Sequence, residues 1–225
     1  MIYVISIVVM ALSWLVQHML TSRFQKYSRI PVAGGLTGAD VARRMLAENG
    51  IDDVTVSSVP GQLTDHYNPA TKVVNLSESV YGSCSIAAAA VAAHECGHAL
   101  QHARGYAPLK LRSALVPVVS FASNIVMWVL LAGILLINVF PSLIWFGIGL
   151  FAMTTLFSLV TLPVEINASR RAVAWLDYSG IADYETHGMA VDALKWAAYT
   201  SVVAALGSLA TLFYYVAIAL GGRRD

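Results

Sequence analysis

Long uncharged stretches alternate with polar segments along the chain, and this pattern predicts four membrane-spanning helices. Asp, Glu, Lys and Arg are absent from residues 1–22, 113–164 and 196–222. A helix needs about 20 apolar residues to cross a bilayer, so the three stretches accommodate one, two and one helices. The first stretch has neither a basic start nor a small-residue cleavage site, and we expect it to remain as an anchor.

The charge distribution predicts the orientation of these helices. Of the 14 Lys and Arg residues, all but Arg223 and Arg224 lie in the two polar segments. Because basic loops stay in the cytoplasm, we expect both segments inside a multi-pass cell-membrane protein, with the N-terminus outside. The predicted segments are an anchor, a cytoplasmic α+β unit, a two-helix hairpin, a cytoplasmic helical segment and a last span, within one functional domain: residues 1–22, 23–113, 114–164, 165–195 and 196–222.

The first polar segment has the pattern of a small α+β unit. Apolar residues at helical spacing follow Thr37 as an N-cap, with Asp40 three residues later and Gly50 as the stop. The runs VTVSSV and KVVNLS are typical of strands in a sheet of two or three strands, although an irregular loop remains the alternative. Residues 86–103 are rich in Ala and predict a helix. Its uncharged stretch is too short to cross a membrane, so we expect the helix to be buried in the α+β unit.

Composition excludes several classes of protein. Hydrophobic residues make up 57% and charged residues 12%, which differs from a soluble enzyme or a disordered chain. The net charge is +1 and no long basic run occurs, so nucleic acid is not an expected partner. Cys84 and Cys96 are too few for a disulfide framework and are expected to be reduced. The oligomeric state stays open.

The predicted helix at residues 86–103 carries the pattern HExxH, from His94 to His98. Residues four apart lie on one helix face about 6 Å apart along the axis, so both imidazoles can bind one Zn²⁺. Glu95 lies about 100° around the helix, where it can act as the base for a metal-activated water without being a ligand. The sequence therefore predicts one zinc ion bound in this unit.

The third ligand has to come from another part of the chain. His102 is about 12 Å from His94 on a continuous helix, too far to share a metal, and is expected to support the ligands or the packing. Glu165 follows the third predicted span, and no oppositely charged residue lies one helical turn further on to neutralise it at the membrane edge. A carboxylate in that position needs another partner, so we favour Glu165 as the third metal ligand. Pairing with a distant Arg, or an exposed position at the membrane interface, is the alternative reading of Glu165. Other residues on the same side remain candidates: Asp177, Asp183, Glu185, His187 and Asp192.

Three further side chains have weaker claims to the site. Arg170 is interpreted as a membrane-flanking cation that could also orient a carboxylate near the metal. His187 could support catalysis. Cys96 points away from the face of His94 and His98, which favours packing over ligation.

Three longer stretches of the chain resemble a known family. AAHECGHALQHARGYAPLKLRSALVPV, LPVEINASRRA and DHYNPATKVVNLSESVY look like the bacterial YugP-type neutral zinc metallopeptidases, membrane proteins with the gluzincin arrangement of HExxH and a distal Glu. The resemblance covers almost the whole chain. It implies His94 and His98 as zinc ligands, Glu95 as the base and Glu165 as the third ligand, in a mainly α membrane protein with a gluzincin-like α+β unit at the membrane face.

A more distant similarity to the HtpX-like membrane proteases adds two expectations. Their strand before the zinc helix holds extended substrate, which implies an edge strand here at Lys72, Val73, Val74, Asn75, Leu76 and Ser77. Those proteases carry Asp four residues after the ligand Glu, whereas this chain has Ser169. The groups that orient the ligands are therefore expected to differ.

The resulting hypothesis is a membrane zinc endopeptidase with its active site on the cytoplasmic side of a bacterial membrane. Glu95 would take the proton of a zinc-bound water that attacks a peptide bond in a membrane-associated polypeptide. A site-2-type intramembrane protease, with residues 86–103 as a fifth span, is one alternative. A non-catalytic adaptor that uses zinc structurally, with four protein ligands, is another.

Overall fold

The computed structural model describes residues 2–221 and is mainly helical. Its helices are α1 (Ile2–Tyr27), α2 (Gly38–Glu48), α3 (Glu78–Tyr81), α4 (Ile86–Ala103), α5 (Ala107–Leu135), α6 (Ser142–Tyr178) and α7 (His187–Gly221), with a 3-10 turn at Ala33–Gly35. Its strands are β1 (Thr55–Val59), β2 (His66–Asn68) and β3 (Val73–Ser77). The prediction of a mainly α membrane protein with a small α+β unit is confirmed.

Four of the described helices, α1, α5, α6 and α7, are long and apolar enough to cross a membrane. They extend beyond the uncharged stretches of the sequence: α5 already begins at Ala107, and α1 continues to Tyr27. Charged residues do not end a helix, since helices end where capping residues, Gly or Pro interrupt the backbone hydrogen bonds. The uncharged stretches therefore locate the apolar cores of the spans rather than their ends.

The described residues form two compact units. The first draws on residues 2–14, Pro108–Pro163 and residues 201–221, and the second on Leu15–Ala107 and Val164–Thr200. Within the first unit, small residues allow close helix packing, as is common in membranes. A Cβ atom at Gly133 would lie 2.7 Å from the Cα of Ile144, and one at Gly207 would lie 2.9 Å from the Val9 side chain.

In the second unit, α2 and α4 pack together and cover one face of the sheet. Val41 and Met45 of α2 are fully buried with Val74 and Leu76 of β3, next to the row of alanines on α4.

The predicted start of α2 is confirmed. Thr37 and Asp40 form a reciprocal capping box, in which each side chain binds the backbone N–H of the other.

The sheet contains three strands in the order β1-β3-β2, and β3 pairs in parallel with β1 and antiparallel with β2. The strand formed by KVVNLS is therefore central. The prediction that residues 72–77 form a substrate-binding edge is wrong, because β1 and β2 already use the main-chain groups on both sides of β3. The edge position nearest α4 belongs to β2, a three-residue strand that the sequence pattern did not predict.

Candidate metal centre

The helix that carries HExxH begins at a side-chain cap and is made of small residues. The Ser85 hydroxyl accepts a hydrogen bond from the Ala88 N–H at 3.2 Å, which satisfies one of the free donors of the first turn. Most residues from Ile86 to Gln101 are buried, and their small side chains let neighbouring elements approach the α4 backbone. This packing places the polar residues of the motif inside the second unit.

Three predicted ligands, His94 and His98 on α4 and Glu165 on α6, converge in space. Glu165 Oε2 lies 3.2 Å from His94 Nε2 and 3.5 Å from His98 Nε2. The two imidazoles meet edge to face, with centroids 4.8 Å apart. Their side chains are 9–19% exposed, so the cluster is largely shielded from solvent.

The outward nitrogens of both imidazoles have oxygen partners. The Nδ1 of His94 lies 3.0 Å from the Ser169 hydroxyl, and the Nδ1 of His98 lies 3.1 Å from the Gln101 side-chain oxygen. These partners orient both Nε2 atoms towards Glu165. Ser169, four residues after Glu165, thus supplies a neutral hydroxyl to His94.

The donor set fits a zinc ion. One atom each from His94, His98 and Glu165 can be chosen so that all three lie within 4.8 Å of one another. Ligands of a tetrahedral zinc are separated by roughly 3.3 Å, so small side-chain movements suffice to bind the ion. Imidazole nitrogen and carboxylate oxygen are typical zinc ligands, and three protein ligands leave a fourth position for water or substrate.

Glu95 lies beside this cluster and is held by the sheet. It is 8% exposed, and its Oε2 accepts a hydrogen bond from the backbone N–H of Tyr67 in β2 at 3.0 Å. The same Tyr67 contacts α4 a second time through its hydroxyl, which lies 2.8 Å from His102 Nδ1. Edge strand β2 is therefore attached to α4 at both the motif glutamate and His102.

Burial and charge shift the pKa values of two groups on α4 in the same direction for different reasons. Burial acts to lower the pKa of His98, but hydrogen bonding to Glu165 and the charge of Glu95 raise it above its ordinary value. Burial raises the pKa of the Cys96 thiol, whose Sγ lies 3.5 Å from the Ala42 carbonyl oxygen. Cys96 is a packed neutral thiol, as its position on the helix predicts.

The remaining candidates lie outside this cluster. His102 contacts Tyr67 rather than the ligands, Arg170 is exposed and takes no part in the contacts that join the three ligands, and His187 Nδ1 pairs with Asp177 Oδ1 at 2.6 Å. The predicted roles of Arg170 and His187 next to the metal are therefore not supported by their positions. The other acidic alternatives have partners elsewhere: Asp183 with Thr186, and Asp192 with Tyr27 and Arg23, while Glu185 is exposed.

Sequence reasoning missed two residues that hold the site together. Tyr67 contributes through its backbone, which no side-chain pattern reveals. Gln101 carried a usable signal, since it stands three residues after His98 in a helix that the sequence predicts to be buried. A buried amide in such a helix needs partners.

Comparison with known proteins agrees with this geometry. The family described as “Putative neutral zinc metallopeptidase” matches residues 2–220. The chain is 46% identical over 222 residues to the “Putative membrane protease YugP” of Bacillus subtilis strain 168, over 98% of this chain and 97% of that protein. No solved structure matches the chain.

Proposed function

The chain belongs to the family of neutral zinc metallopeptidases that matches almost its full length, and we propose that it is a membrane-embedded endopeptidase acting on membrane-associated or membrane-proximal polypeptides. The observation that carries this proposal is the convergence of His94 and His98 on Glu165, with Glu95 alongside. Family membership supports a zinc peptidase. The residue roles and the substrate class are our proposal.

His94, His98 and Glu165 would hold the zinc ion. When bound, zinc supplies Lewis acidity, which lowers the pKa of water towards about 7 and polarises a carbonyl group. Ser169 and Gln101 keep the two imidazoles turned towards Glu165. The protein's part is thus to orient three ligand atoms and leave one side open.

Glu95 moves the proton. Its carboxylate accepts a proton from the water that attacks the carbonyl carbon of the peptide bond, and delivers that proton to the amine nitrogen as the C–N bond breaks. The Tyr67 N–H fixes one carboxylate oxygen, so the proton transfer does not depend on a freely rotating side chain. A fixed base beside the reacting water lowers the entropic part of the barrier.

Edge strand β2 is positioned to hold substrate. Tyr67 lies opposite Val74 of β3, but its N–H donates to Glu95 rather than to β3. The two residues therefore form a non-hydrogen-bonded pair, in which the main-chain groups of Tyr67 face away from β3. An extended peptide that adds to this side of β2 would run past Glu95 and donate a main-chain hydrogen bond to the Tyr67 carbonyl oxygen, while the Tyr67 N–H stays with Glu95. This role falls to β2 because β3 is the central strand.

Two features favour catalysis over the alternatives. Among the described residues, the group able to bind a metal contains three ligands, whereas structural zinc sites use four protein ligands. Helix α4 is not one of the four candidate spans and lies in the core of the second unit, which disfavours an intramembrane site-2-type arrangement.

The proposal is tested with Glu95→Gln in the full-length protein expressed in membranes. We expect peptide fragments of membrane proteins, measured by mass spectrometry, to fall by about 10²-fold or more, while bound zinc stays near one per chain. Glu185→Gln, at an exposed position in the α6–α7 loop, is the matched control and should leave cleavage unchanged. Equal fragment yields from the parent and Glu95→Gln would overturn the proposal.

A further inference from the structure

Gln101 is a fully buried polar side chain that links one predicted zinc ligand to the helix carrying another. It lies three residues after His98 on α4 and is 0% exposed. Its Oε1 lies 3.1 Å from His98 Nδ1. Its Nε2 donates to the Val164 carbonyl oxygen at 2.8 Å and to Asn167 Oδ1 at 3.0 Å. All of these groups lie in the second unit.

The Val164 carbonyl fixes which way the Gln101 amide points. A carbonyl oxygen can only accept, so the side-chain atom that faces it must be the NH₂ group. The amide oxygen of Gln101 therefore faces His98, and His98 has to present N–H at Nδ1. The Nε2 atom of His98 is consequently the nitrogen available to bind a cation.

The second acceptor, Asn167, is itself held in place. Asn167 Oδ1 accepts from Gln101 Nε2 and also from Arg171 Nε at 2.8 Å, one helical turn further along α6. Since Arg can only donate, this contact keeps the oxygen of Asn167 turned towards Gln101. Both donor hydrogens of the Gln101 amide thus have acceptors on α6.

Both acceptors flank Glu165 in the chain. Val164 immediately precedes Glu165, and Asn167 follows two residues later. One amide therefore joins the ring of His98 to the stretch of α6 that presents the third ligand. If the amide is removed, the imidazole can turn and α6 loses its polar attachment to α4 at this level.

We propose that Gln101 is a positioning residue for the metal centre: it sets the orientation of His98 and its separation from Glu165, and thereby the affinity for zinc. The inference rests on the zinc site of the proposed function, but not on peptide hydrolysis. Gln101 contacts neither the metal position nor substrate and acts through His98 and α6. Residues that orient metal-bound histidines typically contribute 10- to 100-fold to metal affinity.

The test uses Gln101→Glu and Asn167→Ala in the full-length protein in detergent micelles. Glu has nearly the same shape and still accepts from His98, but it lacks the N–H groups that reach Val164 and Asn167. We expect Gln101→Glu to raise the zinc dissociation constant at least tenfold, measured by competition with a chelator. Asn167→Ala removes one of the two acceptors from a partly exposed position, and we expect a smaller rise of several-fold. Gln62→Glu, in an exposed loop, is the control.

Cobalt substitution separates positioning from general destabilisation. The visible absorption of bound Co²⁺ reports ligand geometry, so we expect an altered spectrum in both variants and an unaltered one in Gln62→Glu. Unchanged zinc affinity and cobalt spectra in both Gln101→Glu and Asn167→Ala would overturn the inference. A parent chain that binds no zinc would overturn the metal site and this inference together, whereas a parent that binds zinc but cleaves nothing would overturn only the peptidase.

Discussion

Gly97 on α4 lies directly against the backbone of Ala168 on α6. A Cβ atom at position 97 would lie 2.7 Å from the Ala168 carbonyl oxygen and 3.1 Å from its Cα. Gly97 stands between the two histidines of the motif, and Glu165 lies about one turn before Ala168. The close approach of the two helix backbones is therefore what brings the carboxylate of Glu165 to both imidazoles.

Gly97→Ala should weaken the metal centre. The added methyl group meets backbone atoms, which cannot move aside as a flexible side chain would, so α4 and α6 have to separate. We expect a rise of at least tenfold in the zinc dissociation constant and a loss of about 1–3 kcal/mol in stability, measured by chelator competition and thermal unfolding.

Gly188→Ala in α7 is the matched control for this substitution. A Cβ atom there would meet nothing within 4 Å, so the change should be neutral or should stabilise the protein by up to about 1 kcal/mol through helix propensity. If Gly97→Ala bound zinc as tightly as Gly188→Ala, the close approach would not control the site.

Glu165→Ala should remove most of the zinc affinity. The carboxylate is the only acidic partner that the described residues place against both His94 and His98, so its loss leaves a two-histidine site. Isothermal titration with zinc should show at least a 100-fold rise in the dissociation constant relative to the parent. Asp177→Asn, which alters a carboxylate paired with His187, serves as the control. Retained affinity in Glu165→Ala would exclude Glu165 as a ligand.

The convergence of His94, His98 and Glu165 could be predicted from the sequence because it depends on local spacing. His94 and His98 are one helical turn apart, and residues 86–103 form α4 with the predicted boundaries. Glu165 could be predicted because a carboxylate at the end of an apolar span needs a partner. Each of these inferences uses residues within one element, where periodicity determines which side chains face the same way.

The arrangement around those residues could not be predicted in the same way. Strand order depends on tertiary packing, so the central position of β3 and the existence of the short strand β2 leave no periodic signal. The contact between the Tyr67 N–H and Glu95 involves the backbone, which is present at every position. The Gln101 contacts join residues more than 60 positions apart.

The capping box of α2 should make stability depend on pH in the acid range. Hydrogen bonds from the Thr37 hydroxyl and backbone N–H hold the pKa of Asp40 below its usual value. A carboxyl group with a lowered pKa stabilises the folded state above its unfolded pKa of about 3.9, and this contribution is lost as the pH falls through the folded pKa. Because Asp40 is nearly half exposed, solvent screening keeps the contribution small.

Thr37→Ala tests this dependence. We expect about 1 kcal/mol of destabilisation at pH 7, which corresponds to a fall of about 2–4 °C in the unfolding temperature. The difference from the parent should shrink as the pH falls below about 4 and Asp40 becomes protonated. Thr71→Ala, at an exposed position, should show no such trend. A difference that stays constant from pH 7 to pH 3 would contradict the role of Asp40.

Orientation in the membrane can be tested with single cysteines in the loops that join the spans. The loop between α6 and α7 lies within the second polar segment, residues 165–195, which contains Lys and Arg, so we predict that this loop faces the cytoplasm. The turn between α5 and α6 is then predicted to face outside. In a Cys84→Ser background, a membrane-impermeant thiol reagent should label Asn138→Cys in intact cells but label Tyr184→Cys only after permeabilisation. Cys96 is 0% exposed and should stay unlabelled in both cases. Labelling of Tyr184→Cys in intact cells would show that the predicted orientation is wrong, because four spans place these two loops on opposite sides of the membrane.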